Sequence, residues 1–192
     1  MKTLQIDFDL FDQAMNAHMS QAFGPKWRSM CHQSAKIAAK ALRQLAPGSS
    51  AELQRVELAG YMKHAPDVQR KMVHIGWVND PRPIRHGDIR AHFAVVIGDA
   101  IYDPTFEQLG TRTTPLDLPA PYFYSTSVLS APLGFEDFHW GMAERPSGVI
   151  CVGYKLQPEP IAQEFRQFLM ADAAAKPHAR RVAGAYRNLS GA

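Results

Sequence analysis

The sequence predicts an α+β domain in which a helix that bears a cysteine packs on an antiparallel sheet. Residues 29–45 place small and apolar side chains at helical spacing and contain Cys31 in the first turn. Residues 91–103 predict two strands joined by the turn Gly98-Asp99, and residues 148–156 predict a further strand rich in β-branched side chains. A chain of 192 residues can bury a sizeable core without disulfides or metals.

The segments that precede this hairpin predict a second helix and two further strands. Apolar side chains recur at helical spacing over residues 6–23, after a cap at Asp7 or Asp9 and before Gly24-Pro25, where the pattern ends. Alternating side chains then predict two strands, at residues 54–62 and 71–78.

The segments that follow the hairpin are less regular. Residues 109–146 are rich in proline and aromatic side chains, and they predict an extended insertion with one short helix. Its aromatic side chains either line a substrate groove or cover a sheet edge. Residues 158–173 have an amphipathic pattern that predicts a helix. The basic tail beyond it is interpreted as a solvated extension or an oligomer contact, not a nucleic-acid-binding arm; it contains Arg180, Arg181 and Arg187.

We therefore expect a single domain over residues 1–192, with a core at about 27–156 and a C-terminal helical extension at about 158–192. The net charge of +3 comes from scattered side chains and does not require a nucleic-acid partner. The N-terminal residues have early acidic side chains, unlike a secretory signal, and no apolar run approaches the roughly 20 residues of a membrane span. We expect synthesis as a cytoplasmic protein, with no membrane partner; export as an effector without a general secretory signal stays open.

The predicted hairpin places a histidine and an aspartate on one face. Because side chains alternate along a strand, His92, Ala94 and Val96 share a face, and a two-residue turn sets Ile101 opposite Val96 and Asp103 opposite Ala94. A carboxylate beside an imidazole fixes its tautomer and stabilises its protonated form. The alternative is that the histidine simply packs at a strand start and the aspartate begins an ordinary turn.

Cys31 is the candidate nucleophile. A helix N-terminus presents partial positive charge and unpaired backbone N–H groups, which lower the pKa of a thiol and can hold an oxyanion. The alternative is a small buried hydrophobic residue on an alanine-rich helix. His32 follows on a different face of the helix and is not the expected base, and Cys151, in a predicted strand, is expected to be buried and inert.

No metal or cofactor is expected. The two cysteines form neither a disulfide framework nor a Cys-x-x-Cys pattern. The histidines at positions 64, 74, 86 and 92 lack the helical spacing of a zinc-binding pair.

This order of elements resembles that of papain-like cysteine enzymes, and more narrowly their transglutaminase-like branch. The resemblance covers roughly residues 27–108 and is carried by Cys31 with Ala35 and Ala41-Leu42, by the strand Arg55 to Tyr61, and by the run His92-Phe-Ala-Val-Val-Ile-Gly-Asp-Ala-Ile-Tyr-Asp-Pro-Thr. Two features depart from the family. The side chain that supplies a second oxyanion donor has only candidates here, Gln21, Trp27 and Ser29, and Ala94 stands where an aromatic often follows the histidine.

The resemblance implies a papain-like core and a triad of Cys31, His92 and Asp103 that acts on peptide or glutamine-type amides of a protein or peptide substrate. It implies protease, deamidase or transglutaminase activity, in a domain such as a bacterial effector or toxin. The alternative is a noncatalytic protein-binding module that uses the aromatic stretch from Ala120 to Trp140 and the basic tail as its contact surface. The sequence leaves the oligomeric state undetermined.

Overall fold

The structure is a computed structural model and describes residues 6–25, 27, 30–62, 73–75, 91–98, 100–105, 122–125, 136–145, 148–157 and 170–191. These residues form three helices, α1 (Phe8–Phe23), α2 (Cys31–Leu45) and α3 (Asp172–Ser190). They also form seven strands: β1 (Glu52–Met62), β2 (Val73–Ile75), β3 (His92–Ile97), β4 (Ala100–Asp103), β5 (Tyr122–Ser125), β6 (His139–Arg145) and β7 (Gly148–Leu156). The predicted α+β class is confirmed.

The strands form one antiparallel sheet in the order β5-β4-β3-β1-β7-β6, with β2 paired to β1. Strand β1 is the longest and organises the sheet. One edge of β1 pairs with β7; along the other edge, β3 pairs as far as Val56, and β2 pairs from Leu58 to Gly60. His92, the first residue of β3, therefore lies opposite Val56, at the point where this edge passes from one partner strand to another.

The β3–β4 hairpin has the predicted register. Val96 lies opposite Ile101 and Ile97 opposite Ala100, so that only two residues connect the strands. Gly98 has φ 60°, in the left-handed region that glycine adopts without a steric penalty. Continuing the same pairing sets Asp103 opposite Ala94, as the sequence predicts.

The three helices pack together against one face of the sheet. Alternation along β3 sends Phe93 and Val95 into this helix-covered core and sends His92 and Ala94 to the opposite face. Asp7 caps α1 by accepting hydrogen bonds from the backbone N–H groups of Asp9 and Leu10, which confirms the expected helix start. Gly24 is its C-cap, where the apolar pattern was expected to end.

The C-terminal tail was interpreted as a solvated extension or an oligomer contact, in a helical extension outside the core; the helix is present, but it is part of the core. Residues 172–190 form α3, which packs against α1 and α2. Five of its side chains recur at helical spacing and are buried in the common core: Ala175, Ala179, Val182, Ala183 and Tyr186. The three arginines of the tail are exposed on the outer face of this helix. At its N-terminal end, Asp172 forms ion pairs with Lys36 and Lys40 of α2.

The aromatic stretch was expected to be an irregular insertion, yet parts of it are strands. Tyr122–Ser125 forms β5, which pairs with β4, and His139 begins β6, which pairs with β7. Residues 136–138 lead directly into β6; the rest of the stretch and most of the predicted helix at residues 158–173 lie outside the described residues. Among the residues that the structure describes, no helix is both long enough and apolar enough to cross a bilayer.

Candidate active site

The hairpin brings His92 and Asp103 into direct contact. Nε2 of His92 lies 2.6 Å from Oδ2 of Asp103, and both side chains are completely buried. The two residues sit at the open end of the hairpin, where β3 begins and β4 ends. Because adjacent antiparallel strands hold facing side chains at fixed separation, the hairpin itself sets the distance between this imidazole and this carboxylate.

The Asp103 carboxylate is surrounded by hydrogen-bond donors. Its Oδ1 accepts from the backbone N–H of Thr105 at 2.9 Å and from the Thr105 hydroxyl at 3.2 Å. Its Oδ2 accepts from the Tyr154 hydroxyl at 3.2 Å in addition to His92. A carboxylate in a dry interior keeps its charge only with such donors, so this arrangement favours the ionised form of Asp103.

Cys31 is the first residue of α2, and its thiol lies at the start of β3. Its Sγ is 3.9 Å from the carbonyl oxygen of Ala91, the residue before His92, and the side chain is 9% exposed. Nothing in the first turn competes for the positive end of α2, because Met30 at the N-cap has no polar side chain and the turn has no acidic residue. Helix geometry also leaves the N–H of Cys31 without an intrahelical acceptor.

The thiol and the imidazole perturb each other's protonation. Burial raises the pKa of the Cys31 thiol, but the favourable interactions of the thiolate with the side chains of His32 and His92 outweigh burial and bring the pKa to about 6. Burial lowers the pKa of His92, but the Asp103 carboxylate and the Cys31 thiol outweigh this and raise it to about 10. Near neutral pH the pair is therefore a thiolate and an imidazolium.

The ring nitrogens of His92 have separate roles. Nε2 is taken by Asp103, and Nδ1 is buried and has no conventional hydrogen-bond partner among the described residues. Nε2 is therefore committed to the carboxylate, and Nδ1 is the ring nitrogen that stays available for the chemistry of the Cys31 thiol.

Two expectations about neighbouring residues change. His32 was expected to lie on a different face of the helix and not to be the base, yet it is one of the two groups that lower the pKa of the Cys31 thiol. Trp27 was a candidate oxyanion donor, but its indole N–H donates to the Ser20 hydroxyl at 3.1 Å. Of the other two candidates, Gln21 is exposed on α1 and Ser29 lies outside the described residues.

The remaining chemistry-bearing residues lie elsewhere. Cys151 is on β7 and is 3% exposed, which agrees with a buried thiol. His74 lies on β2, but its side chain is outside the description, as are His64 and His86. The described residues contain no group of three or more histidine, cysteine, aspartate or glutamate side chains placed to hold a metal ion. Phe138 and Trp140, part of the contact surface in the binding-module alternative, are buried.

Thr105 and Tyr154 contribute to the site although the sequence analysis did not name them as candidates, and His32, which was set aside as the base, lowers the pKa of the Cys31 thiol. Thr105 could have been found, because an aspartate commonly accepts a hydrogen bond from the N–H two residues on. Tyr154 lies 51 residues from Asp103 in the chain, and no local pattern connects the two.

Comparison with known proteins adds no relative. No family model matches the chain, and searches of curated proteins and of solved structures return no significant match. The function of the protein is therefore inferred from the chemistry of the site.

Proposed function

We propose that the protein is a cysteine-dependent hydrolase or acyltransferase that acts on peptide or glutamine-type amides. The observation that carries the proposal is the buried contact of His92 with Asp103 beside the Cys31 thiol at the start of β3, where the pKa of that thiol is lowered to about 6. We further propose a papain-like core of the transglutaminase-like branch. The order of cysteine, histidine strand and aspartate strand along the chain supports this assignment.

In the first step, the Cys31 thiolate attacks the carbonyl carbon of the amide. A bond forms between Sγ and carbon while the π electrons move to the carbonyl oxygen. The resulting oxyanion lies at the N-terminus of α2, where the Cys31 backbone N–H donates a hydrogen bond. The tetrahedral intermediate collapses, the carbon–nitrogen bond breaks, and the departing amine or ammonia takes the proton that His92 carries.

In the second step, the thioester is transferred to an acceptor. Water or an amine loses a proton to His92 and attacks the thioester, and the carbon–sulfur bond then breaks to restore the thiolate. Water gives a carboxylic acid, which is hydrolysis or deamidation, whereas an amine gives a new amide, which is transglutamination. Asp103 holds the ring of His92 in place and balances its charge in both steps.

Alkylation of the two cysteines tests the proposal without a known substrate. Peptide mass spectrometry would follow iodoacetamide labelling of Cys31 and Cys151 against pH in the native protein and in His92→Ala. We expect the Cys31 labelling rate to rise through a midpoint near pH 6, and this midpoint to move upward without His92. Labelling of Cys31 only with an ordinary thiol midpoint, near 8.5, or only after unfolding would contradict the proposal.

If the Cys31 thiol is activated, the next experiment is a search for the reaction it catalyses. Glutamine-containing peptides would be incubated with the protein, with and without a primary amine, while ammonia release, amine incorporation and backbone cleavage are measured. Cys31→Ala should abolish every product, and Cys151→Ala is the matched control because its thiol is buried on β7. If Cys31→Ala retained the function of the protein in cells, the noncatalytic binding module would be the better assignment.

A further inference from the structure

The charged states of Cys31 and His92 depend on the fully buried carboxylate of Asp103. Asp103 is wholly removed from solvent, and an ionised carboxylate there is stable only if its oxygens accept hydrogen bonds. Three of its four donors come from the hairpin or the turn after it, namely the N–H and hydroxyl of Thr105 and the ring of His92. The fourth is the hydroxyl of Tyr154, which comes from β7 on the far side of β1.

The Tyr154 hydroxyl donates to the same oxygen as His92. Both Thr105 donors bind Oδ1, whereas Tyr154 and His92 share Oδ2, at 3.2 Å and 2.6 Å. In a dry interior, each donor that binds Oδ2 stabilises the negative charge on that oxygen. The charge of the carboxylate in turn keeps the proton on the ring of His92.

We propose that Tyr154 is a positioning residue for the reaction, one that keeps Asp103 ionised and aligned and thereby keeps His92 charged beside the Cys31 thiolate. This inference rests on the proposed function, because it concerns the same triad. The thiolate, imidazolium and carboxylate together carry one net negative charge. Loss of the Tyr154 donor makes this anionic cluster less stable, and the cluster then takes up a proton at higher pH.

The test compares Tyr154→Phe with the native protein in the pH dependence of Cys31 alkylation by iodoacetamide. A hydrogen bond to a charged group corresponds to on the order of 1 pH unit, so we expect the midpoint to rise by about that amount. For a rise from pH 6 to pH 7, the labelling rate at pH 6 falls about fivefold. Tyr186→Phe is the matched control, because it removes a buried hydroxyl that contacts the N–H of Asp7, away from the site.

A loss of stability alone would not move this midpoint, because labelling is measured on the folded protein. If Tyr154→Phe does not fold, 3-fluorotyrosine at position 154 decides the question. Its more acidic hydroxyl donates more strongly, and the midpoint should move to lower pH. If Tyr154→Phe folds and has the same Cys31 labelling midpoint as the native protein, or if fluorotyrosine does not change this midpoint, the role of Tyr154 is overturned. The proposed function would remain intact. An ordinary thiol midpoint in the native protein would instead count against the proposed function itself.

Discussion

Gly153 shows how closely single residues are fitted around the sheet. It lies on β7 opposite Trp140 of β6, and the indole ring covers it so tightly that an added Cβ would lie 2.7 Å from ring atom Cε2. Trp140 is almost completely buried and has little room to move aside. The close contact, not backbone conformation, therefore makes glycine necessary at this position.

We expect Gly153→Ala to destabilise the protein by about 1–3 kcal/mol, the usual cost of forcing extra volume into a packed core. Gly184→Ala is the matched comparison. Gly184 lies inside α3 with no atom within 4 Å of an added Cβ, so alanine there should stabilise the fold by about 0.5–1 kcal/mol. Urea unfolding of both variants measures these free energies, and a stable Gly153→Ala would contradict the packing described here.

The triad shows how far the sequence predicts individual side chains. Strand alternation and the two-residue turn predict that Asp103 lies on the face of His92, and the structure brings these side chains together. The contact of Tyr154 could not be predicted in the same way. It depends on how β7 pairs with β1, which is not a local property of the chain.

At the scale of elements, α1 and α3 are joined by a pair of histidines. Nε2 of His18 lies 2.9 Å from Nδ1 of His178, and His18 is buried between the helices. Burial lowers the pKa of His18 below its ordinary value of 6.5, and the charges of His178 and Arg181 lower it further. A buried histidine with a depressed pKa opposes its own protonation, so acid should weaken the contact between the two helices.

We expect stability attributable to this pair to be fully present above pH 6.5 and to be lost as pH falls through the lower pKa of folded His18. His18→Gln keeps a hydrogen-bonding group near the position of Nε2 but does not titrate. Urea unfolding at intervals from pH 8 to pH 5 should show that the native protein loses more stability than the variant on the acid side. Parallel curves across this range would show that the pair does not titrate as described.

The local sequence pattern predicted the β3–β4 hairpin well and helix α3 poorly. The β3–β4 hairpin has β-branched strands and a glycine turn, so its register follows from its own residues. Helix α3 buries mainly alanines, has Pro177 inside it, and carries exposed arginines, so its composition resembles that of a solvated tail. Its helical stripe becomes evident only with α1 and α2 as packing partners.

At the scale of the whole molecule, the ionisation of Cys31 and His92 should contribute almost nothing to the pH dependence of the free energy of unfolding. Between about pH 7 and 8, the unfolded chain holds one proton, on the Cys31 thiol, and the folded chain also holds one, on the His92 ring. Since the slope of stability against pH depends on the difference in bound protons, the two contributions cancel.

In the Cys31→Ala variant, the contribution of His92 to the pH dependence of stability should become measurable. Without the thiol, the unfolded chain holds no proton at these two positions, whereas the folded chain still holds one on His92 beside Asp103. A histidine whose folded pKa is raised stabilises the protein below its unfolded pKa and loses this stabilisation as pH rises. Relative to the native protein, the variant should lose about 1.4 kcal/mol per pH unit from about pH 7 to about pH 8, the range in which the unfolded native chain keeps its thiol proton. Urea unfolding of both proteins at about pH 7 and about pH 8 measures this, and an unchanged difference between them would contradict a shared proton.

The two-residue turn at Gly98 also bears on the order in which the site forms during folding. Bringing His92 to Asp103 closes a loop of 11 residues, whereas Cys31 must close a loop of about 60 residues to reach the same strand. Short loops lose less entropy and close faster, so the imidazole and carboxylate can meet as soon as the hairpin forms. The thiol keeps its ordinary, weakly nucleophilic state until α2 docks. The newly made chain is thus protected from its own reactive sulfur until α2 reaches β3, because only then does the ring of His92 lie beside the thiol.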